Sequence, residues 1–206
     1  MVGGPLSVGA KTMTGIAQYR LEPVRSSATF LVTNVVLFQI GWFSCVVGAA
    51  HGWIWPGSVL ALLIAGWHLS RAISLLPEVK LIALTLSIGL LWDSLLVSLG
   101  WLRYPHGALI PSVAPVWIVA LWLLFATTLN VSLRWLKPRL STALILGAIF
   151  GPLSYWGASR LGAVDVIHPV ALTIALAAGW GAIMPSLMFA SRVFDGFKEP
   201  ASKEGE

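Results

Sequence analysis

The sequence predicts an all-α integral membrane bundle of six transmembrane helices with both termini cytoplasmic. Three observations lead there. Of 206 residues, 57% are hydrophobic and only 10% are charged, too few polar groups to cover a water-soluble surface of this size. Six apolar runs each approach the roughly 20 residues needed to cross a hydrocarbon core. Lysine and arginine gather in alternate connections, as the positive-inside rule requires of a multi-pass protein.

Residues 1–28, with "MVGGPLSVGAKTMTG" at their start, carry no hydrophobic periodicity and read as a flexible cytoplasmic tail. The runs follow at about 29–50, 54–70, 79–101, 113–133, 141–160 and 169–190, which makes 29–190 one six-helix domain and 191–206 a second cytoplasmic tail. The breaks carry turn or charge signals: "HGWIWPG", "LLPEVK", "RYPHGALIPS", "RWLKPRLS" and "AVDVIHP". All are short, so consecutive helices are expected to be antiparallel neighbours. The first run contains Asn34 and Gln39 and exceeds a signal peptide's apolar stretch, so it is read as a retained helix.

Lys11, Arg20 and Arg25 precede the first run, Arg71 and Lys80 flank the second connection, and Arg134, Lys137 and Arg139 fill the fourth. Arg192, Lys198 and Lys203 follow the last run, leaving only Arg103 and Arg160 for the opposite side. Both termini therefore read as cytoplasmic, in agreement with an even number of helices. The net charge of +5 is spread through these connections rather than gathered into a stripe, which argues against a nucleic-acid partner. The single cysteine, Cys45, excludes an internal disulfide.

Packing between helices in lipid depends on small residues that let backbones approach. Ser44 and Gly48, then Gly57, Ala61 and Ala65, then Gly147 and Gly151, and finally Ala178 and Ala182 supply them at four-residue spacing. They are helix-packing faces first, and a membrane-protein partner could use one of them. Pro152 and Pro185 lie within the fifth and sixth runs and permit kinks. A tryptophan and two small residues recur at 42–48, 92–98 and 156–162, but in so tryptophan-rich a chain chance explains this better than duplication.

Asp93, within "SIGLLWDSLLVSLG", is the residue that most asks for a role. It lies slightly beyond the midplane of the third run, where a carboxylate costs roughly 2.5–3.5 kcal/mol to insert, so it must face the bundle interior. It reads either as part of a site or as a polar joint, since Gly89 and Gly100 share its face. By depth its nearest company is Gln39, Trp42 and Trp122, with Arg160 several ångströms further out. Trp42, Trp92, Trp122 and Trp180 form a mid-membrane group, whereas Trp53, Trp55, Trp101 and Trp135 read as interfacial. Asp93, Trp92, Gln39, Trp42 and Trp122 are accordingly the candidate ligand-binding set; no catalytic residue is assigned.

Asn34, His68 and Asn130 lie toward the cytoplasmic half and read as structural. On the outer side His51, His106, His168 and Asp165 come from separate connections with no metal-ligand spacing, so neither a metal nor a cofactor is expected. A deep lysine for retinal, an intramembrane carboxyl pair, a G-x-S-x-G elbow, an H-E-x-x-H pair and phosphate-binding glycine loops are all missing. Catalysis is therefore the least favoured role.

"NVVLFQIGWFSCVVGAAHG", "GLLWDSLLVSLGWLRYPHG", "PVWIVALWLLFATTLNVSLRWL" and "GPLSYWGASRLGA" resemble corresponding segments of a family of small bacterial multi-pass inner-membrane proteins known only as a domain of unknown function. The likeness spans about residues 30–190. It implies about six helices and a bacterial inner membrane, and brings no activity, ligand or catalytic residue. Members tend to be encoded near proteins of lipid modification, which implies an envelope-lipid role.

Three functions are thus expected in order of preference. The first is a non-enzymatic membrane protein that supports lipid metabolism or envelope stress handling by binding a lipid or a partner protein. The second is a small-molecule binder or transporter, similar in size and topology to the substrate-capturing subunits of energy-coupling-factor vitamin transporters. The third is a lipid-directed enzyme with Asp93 as acid or base.

Overall fold

The structure, a computed structural model, describes residues 28–198. Six helices account for nearly all of it: α1 (Ala28–Ala50), α2 (Ile54–Ser70), α3 (Leu75–Ser98), α4 (Val116–Leu129), α5 (Leu140–Arg160) and α6 (Pro169–Val193). A 3-10 turn at Arg134–Leu136 links α4 to α5, and two-residue strands β1 (Leu102–Arg103) and β2 (Asp165–Val166) pair antiparallel at one end. The fold is all-helical apart from this clasp. The N-terminal tail expected at 1–28 lies outside the described residues except for Ala28, as does the chain beyond 198.

The helices α1, α3, α5 and α6 are long and apolar enough to cross a membrane, while α2 and α4 are shorter. Six full-length spans were expected. Helix α4, at 14 residues, rises only about 21 Å, and the reason is local. Pro115 caps its start in extended geometry, and the Thr127 and Thr128 hydroxyls donate to the carbonyls of Leu124 and Phe125 at its end. Such back-bonding competes with helix continuation. The shortness is tolerated because α4 is the central helix, packed by α1, α2 and α3, with Trp117, Leu124, Ala126 and Leu129 fully buried.

Helix α3 begins at Leu75 rather than near 79, because Pro77 falls in its first turn, where the missing N–H costs nothing. Glu78 therefore sits in the helix and is buried, not in a connection. Helix α6 runs on to Val193, and residues 194–197 fold back on the bundle instead of beginning a tail at 191.

The connections gather at two ends. At one, Ser74 donates its backbone N–H to Gly196, and Lys137 reaches Asp195. At the other, Gly52 approaches His106, and the N–H groups of Ile167 and His168 both donate to Trp101. The odd helices end alike at this second end: the backbone N–H groups of Trp53, Trp101 and Ala163 return to Gly48, Leu96 and Ala158. Each of these closures passes through a glycine at positive φ, namely Gly52, Gly100 and Gly162. The recurring tryptophan pattern stands at a different distance from each of these helix ends, so it carries no structural repeat.

Glycine notches hold the central aromatics. A Cβ on Gly89 of α3 would lie 2.1 Å from the Trp122 ring, one on Gly179 of α6 2.1 Å from Trp92, and one on Gly151 of α5 2.4 Å from Trp180. Gly57 seats α2 on the α1 backbone at Cys45, and Gly147 seats α5 on Trp180 O. Most of the small-residue faces are thus consumed inside the chain, whereas Ala178 and Ala182 stay exposed. Aliphatic side chains such as Leu62, Leu63 and Val170 cover the outer surface.

Candidate functional site

Asp93 is fully buried, and three donors converge on its carboxylate. Tyr104 donates its hydroxyl to Oδ1 at 2.5 Å and Tyr155 does so at 2.7 Å, while the Trp122 indole N–H donates to Oδ2 at 2.6 Å. An indole nitrogen can only donate, so Oδ2 is an acceptor here. The carboxylate ties α3 to α4, to α5 and to the segment after β1. Asp93 is therefore a polar joint, and it also borders open space.

That space is a cavity of about 720 Å³ between α1, α4, α5 and α6, within the usual range for small-ligand sites. Aliphatic and aromatic side chains make most of its wall. Asp93, Tyr155, Gln39 and Ser154 form a polar group toward one end. Its mouth lies between α1 and α5, where Val35, Gln39, Phe150 and Leu153 are exposed on the outside of the bundle.

Four of the five residues singled out from the sequence line this cavity: Asp93, Gln39, Trp42 and Trp122. Trp122 stacks on Trp180 with centroids 4.8 Å apart and planes 9° from parallel. Trp42 meets Phe43 edge-on and closes toward Gly157 of α5. Gln39 is exposed at the mouth and makes no hydrogen bond among the described residues. Trp92 points away, onto Gly179, and its indole nitrogen is buried without a partner among the described residues. Arg160 is exposed and does not join the carboxylate.

The two tyrosines escaped the sequence reading. Tyr155 stands five residues from the end of α5, as Asp93 stands five from the end of α3, so counting from the loop side would have matched their depth. Tyr104 gives no such signal, because only the β1–β2 clasp and the turn after Gly100 carry it back over the bundle.

Burial holds the Tyr104 phenol well above its ordinary pKa of 10, with the Asp93 charge adding to the effect. The sign follows directly: a phenol easier to ionise in the unfolded chain stabilises the fold below about pH 10 and loses that stabilisation as pH rises. The phenolate absorbance of Tyr104, taken as wild type minus Tyr104→Phe, is expected only well above pH 10. Ionisation of this residue near pH 10 would contradict its burial.

A second polar cluster occupies the opposite end. Glu78 accepts from His68 Nε2 at 2.7 Å, Asn130 Nδ2 at 2.7 Å and the Gly196 N–H at 3.1 Å. Asn130 also donates to Phe194 O, and its own oxygen accepts from Lys137 Nζ at 2.6 Å. Lys137 and Arg134 both pair with Asp195 at 2.8 Å, and Arg192 donates to Lys137 O. Burial pulls the Lys137 ammonium below its ordinary range, against the upward pull of its bond to Asp195. His68 and Asn130, read as isolated structural residues, are thus joined through Glu78. Asn34 lies apart, donating to Thr127 O at 3.1 Å.

Among the described residues no group of histidine, cysteine and carboxylate side chains could hold a metal ion. At the β1–β2 end Asp165 pairs with Arg103 at 2.7 Å on an exposed surface, an interaction of about 0–1 kcal/mol.

Residues 31–186 match a family described as "Protein of unknown function (DUF2878)". No curated protein and no solved structure matches the chain.

Proposed function

The chain belongs to the DUF2878 family, and we propose that it is a six-span membrane protein holding a lipid-class molecule in the cavity between α1, α4 and α5. The observation that carries this reading is the sideways mouth. Val35, Phe150 and Leu153 line the cavity and are also exposed at mid-helix, so its entrance faces acyl chains rather than water. The apolar wall suits a hydrocarbon chain. Entry from the lipid favours this reading over a vitamin-type solute, and the full engagement of the Tyr104, Tyr155 and Trp122 donors by Asp93 favours binding over catalysis.

In the proposed topology α2 and α4 also cross, α4 being shielded from lipid by its neighbours. The end that carries Lys137, Arg134, Arg139 and Arg71 faces the cytoplasm, with both termini. The membrane is the inner membrane of a bacterium, on the strength of the resemblance of the segments that carry Asp93 and Tyr155. Membrane lipids are the principal partners. The exposed Ala178 and Ala182 leave one small-residue face free for a membrane-protein partner.

Native mass spectrometry of protein extracted in mild detergent tests the reading. One lipid-sized adduct is expected to survive on the wild type and to disappear from Ser154→Trp, which fills the mouth. Equal adduct on both proteins would place the lipid elsewhere and end the proposal.

A further inference from the structure

We infer that the cavity selects an uncharged, single-chain lipid whose head donates hydrogen bonds, such as a long-chain alcohol; this rests on the lipid-binding reading above. Most of the polar lining has its hydrogens already committed. Tyr155 gives its hydroxyl hydrogen to Asp93, Ser154 gives its own to Gly151 O, and Thr128 gives its own to Phe125 O. Each keeps oxygen lone pairs free to accept. Asp93 itself is fully buried behind these donors, so it holds the Tyr155 hydrogen in place and does not meet the head. The Trp180 indole nitrogen is buried, with no hydrogen-bond partner among the described residues.

The donors still uncommitted are the Gln39 amide at the mouth, the Trp42 indole N–H and the Ser132 hydroxyl at the far end, none of which is hydrogen-bonded among the described residues. At the Asp93 end Tyr155 and Ser154 have committed their hydrogens and can only accept, so a head placed against them has to donate. A hydroxyl head can meet them, with Gln39 returning a bond to its oxygen. A phosphate, sulfonate or carboxylate head brings only acceptors and negative charge, and no lysine, arginine or histidine lines the cavity among the described residues. Its titratable groups, Asp93 and Tyr155, are already bonded to each other.

Shape supplies the second half. Along α5 the lining runs from Leu146 to Ala158, about 18 Å at ~1.5 Å per residue. That slightly exceeds the ~15 Å depth of one leaflet, half of a ~30 Å core. The space is elongated along the helices, parallel to acyl chains. With the head at Tyr155, Gln39 and Ser154, one chain extends past Phe125 and Phe150 toward Leu136.

The test uses the full-length protein in phosphatidylcholine nanodiscs, with Trp42, Trp117, Trp122 and Trp180 as reporters at the cavity wall. Four brominated probes are compared: a long-chain alcohol, an alkyl sulfonate and an alkyl trimethylammonium of equal length, and a phosphatidylglycerol. The alcohol is expected to reach half-maximal quenching at about a tenfold lower mole fraction than the other three. Gln39→Leu is expected to raise the alcohol midpoint several-fold and to leave a brominated alkane unchanged. A sulfonate or phosphatidylglycerol that matches the alcohol overturns the head assignment while cavity binding stands, and an equally effective ammonium overturns the requirement for an uncharged head. An unchanged alcohol midpoint in Gln39→Leu overturns the placement of the head. Absence of quenching by every probe overturns both this inference and the lipid-binding reading.

Discussion

Asp93→Ala is expected to destabilise the protein by about 3–5 kcal/mol, because one deletion leaves three buried donors without an acceptor, each costing ~1–3 kcal/mol. Single interhelical hydrogen bonds in membranes average only about 0.6 kcal/mol, so the size of the effect comes from convergence rather than from any one bond. Tyr104, Tyr155 and Trp122 all donate to the same carboxylate, and none has another acceptor in the side-chain bonds described. At roughly 2–4 °C per kcal/mol for a chain of this size, the melting temperature in detergent falls by about 10 °C. Asp93→Asn is expected to lose less, about 1–2 kcal/mol. Its oxygen can serve both tyrosines, while its amide opposes the Trp122 N–H, donor against donor. An Asp93→Ala protein that melts within a degree of wild type would mean that Asp93 is not the joint that closes this end of the bundle.

Glu78→Ala is the second large effect, again about 3–5 kcal/mol, the usual range for removing one partner of a buried polar pair. His68, Asn130 and the Gly196 N–H lose their common acceptor. The discriminating variant is Glu78→Gln. Its oxygen can face Asn130 and Gly196, but its amide then meets His68 Nε2, which has to present a lone pair and carry its hydrogen on Nδ1. That nitrogen is buried with no partner among the described residues, so the glutamine costs about 1–2 kcal/mol. Glu78→Ala also loosens residues 194–197, so trypsin cleavage after Arg192 is expected to quicken in it and to stay close to wild type in Glu78→Gln, which keeps an acceptor for Gly196. Wild-type cleavage rates in Glu78→Ala would show that Gly196 and Phe194 are held by something other than this carboxylate.

The sequence made the helical architecture legible because apolar length and turn residues act locally. The boundaries of α1, α2 and α5 lie within a residue or two of expectation for that reason. Helix α4 departed at its end, where Thr127 and Thr128 turn their hydroxyls onto Leu124 O and Phe125 O and Asn130, just beyond, serves Glu78 and Phe194 from distant parts of the chain. At the candidate site, depth counting brought Gln39, Trp42 and Trp122 to Asp93 but could not tell which way Trp92 turns. That direction is decided by Gly179, 87 residues on, whose missing side chain leaves room for the ring. Glu78 was hidden by its company: beside Pro77 and Lys80 it reads as a solvated turn, and only the returning C-terminal segment makes it a buried acceptor.

That returning segment also sets a schedule. Gly196 is 118 residues downstream of the carboxylate it binds, and at ~5–20 residues per second of synthesis it leaves the ribosome about 6–24 s after Glu78 does. For the second half of that interval, once Lys137 has followed, His68, Glu78, Asn130 and Lys137 are present while Phe194, Asp195 and Gly196 are still to be made. The nascent chain therefore holds this end open until residues 194–196 have been made, and their arrival closes it.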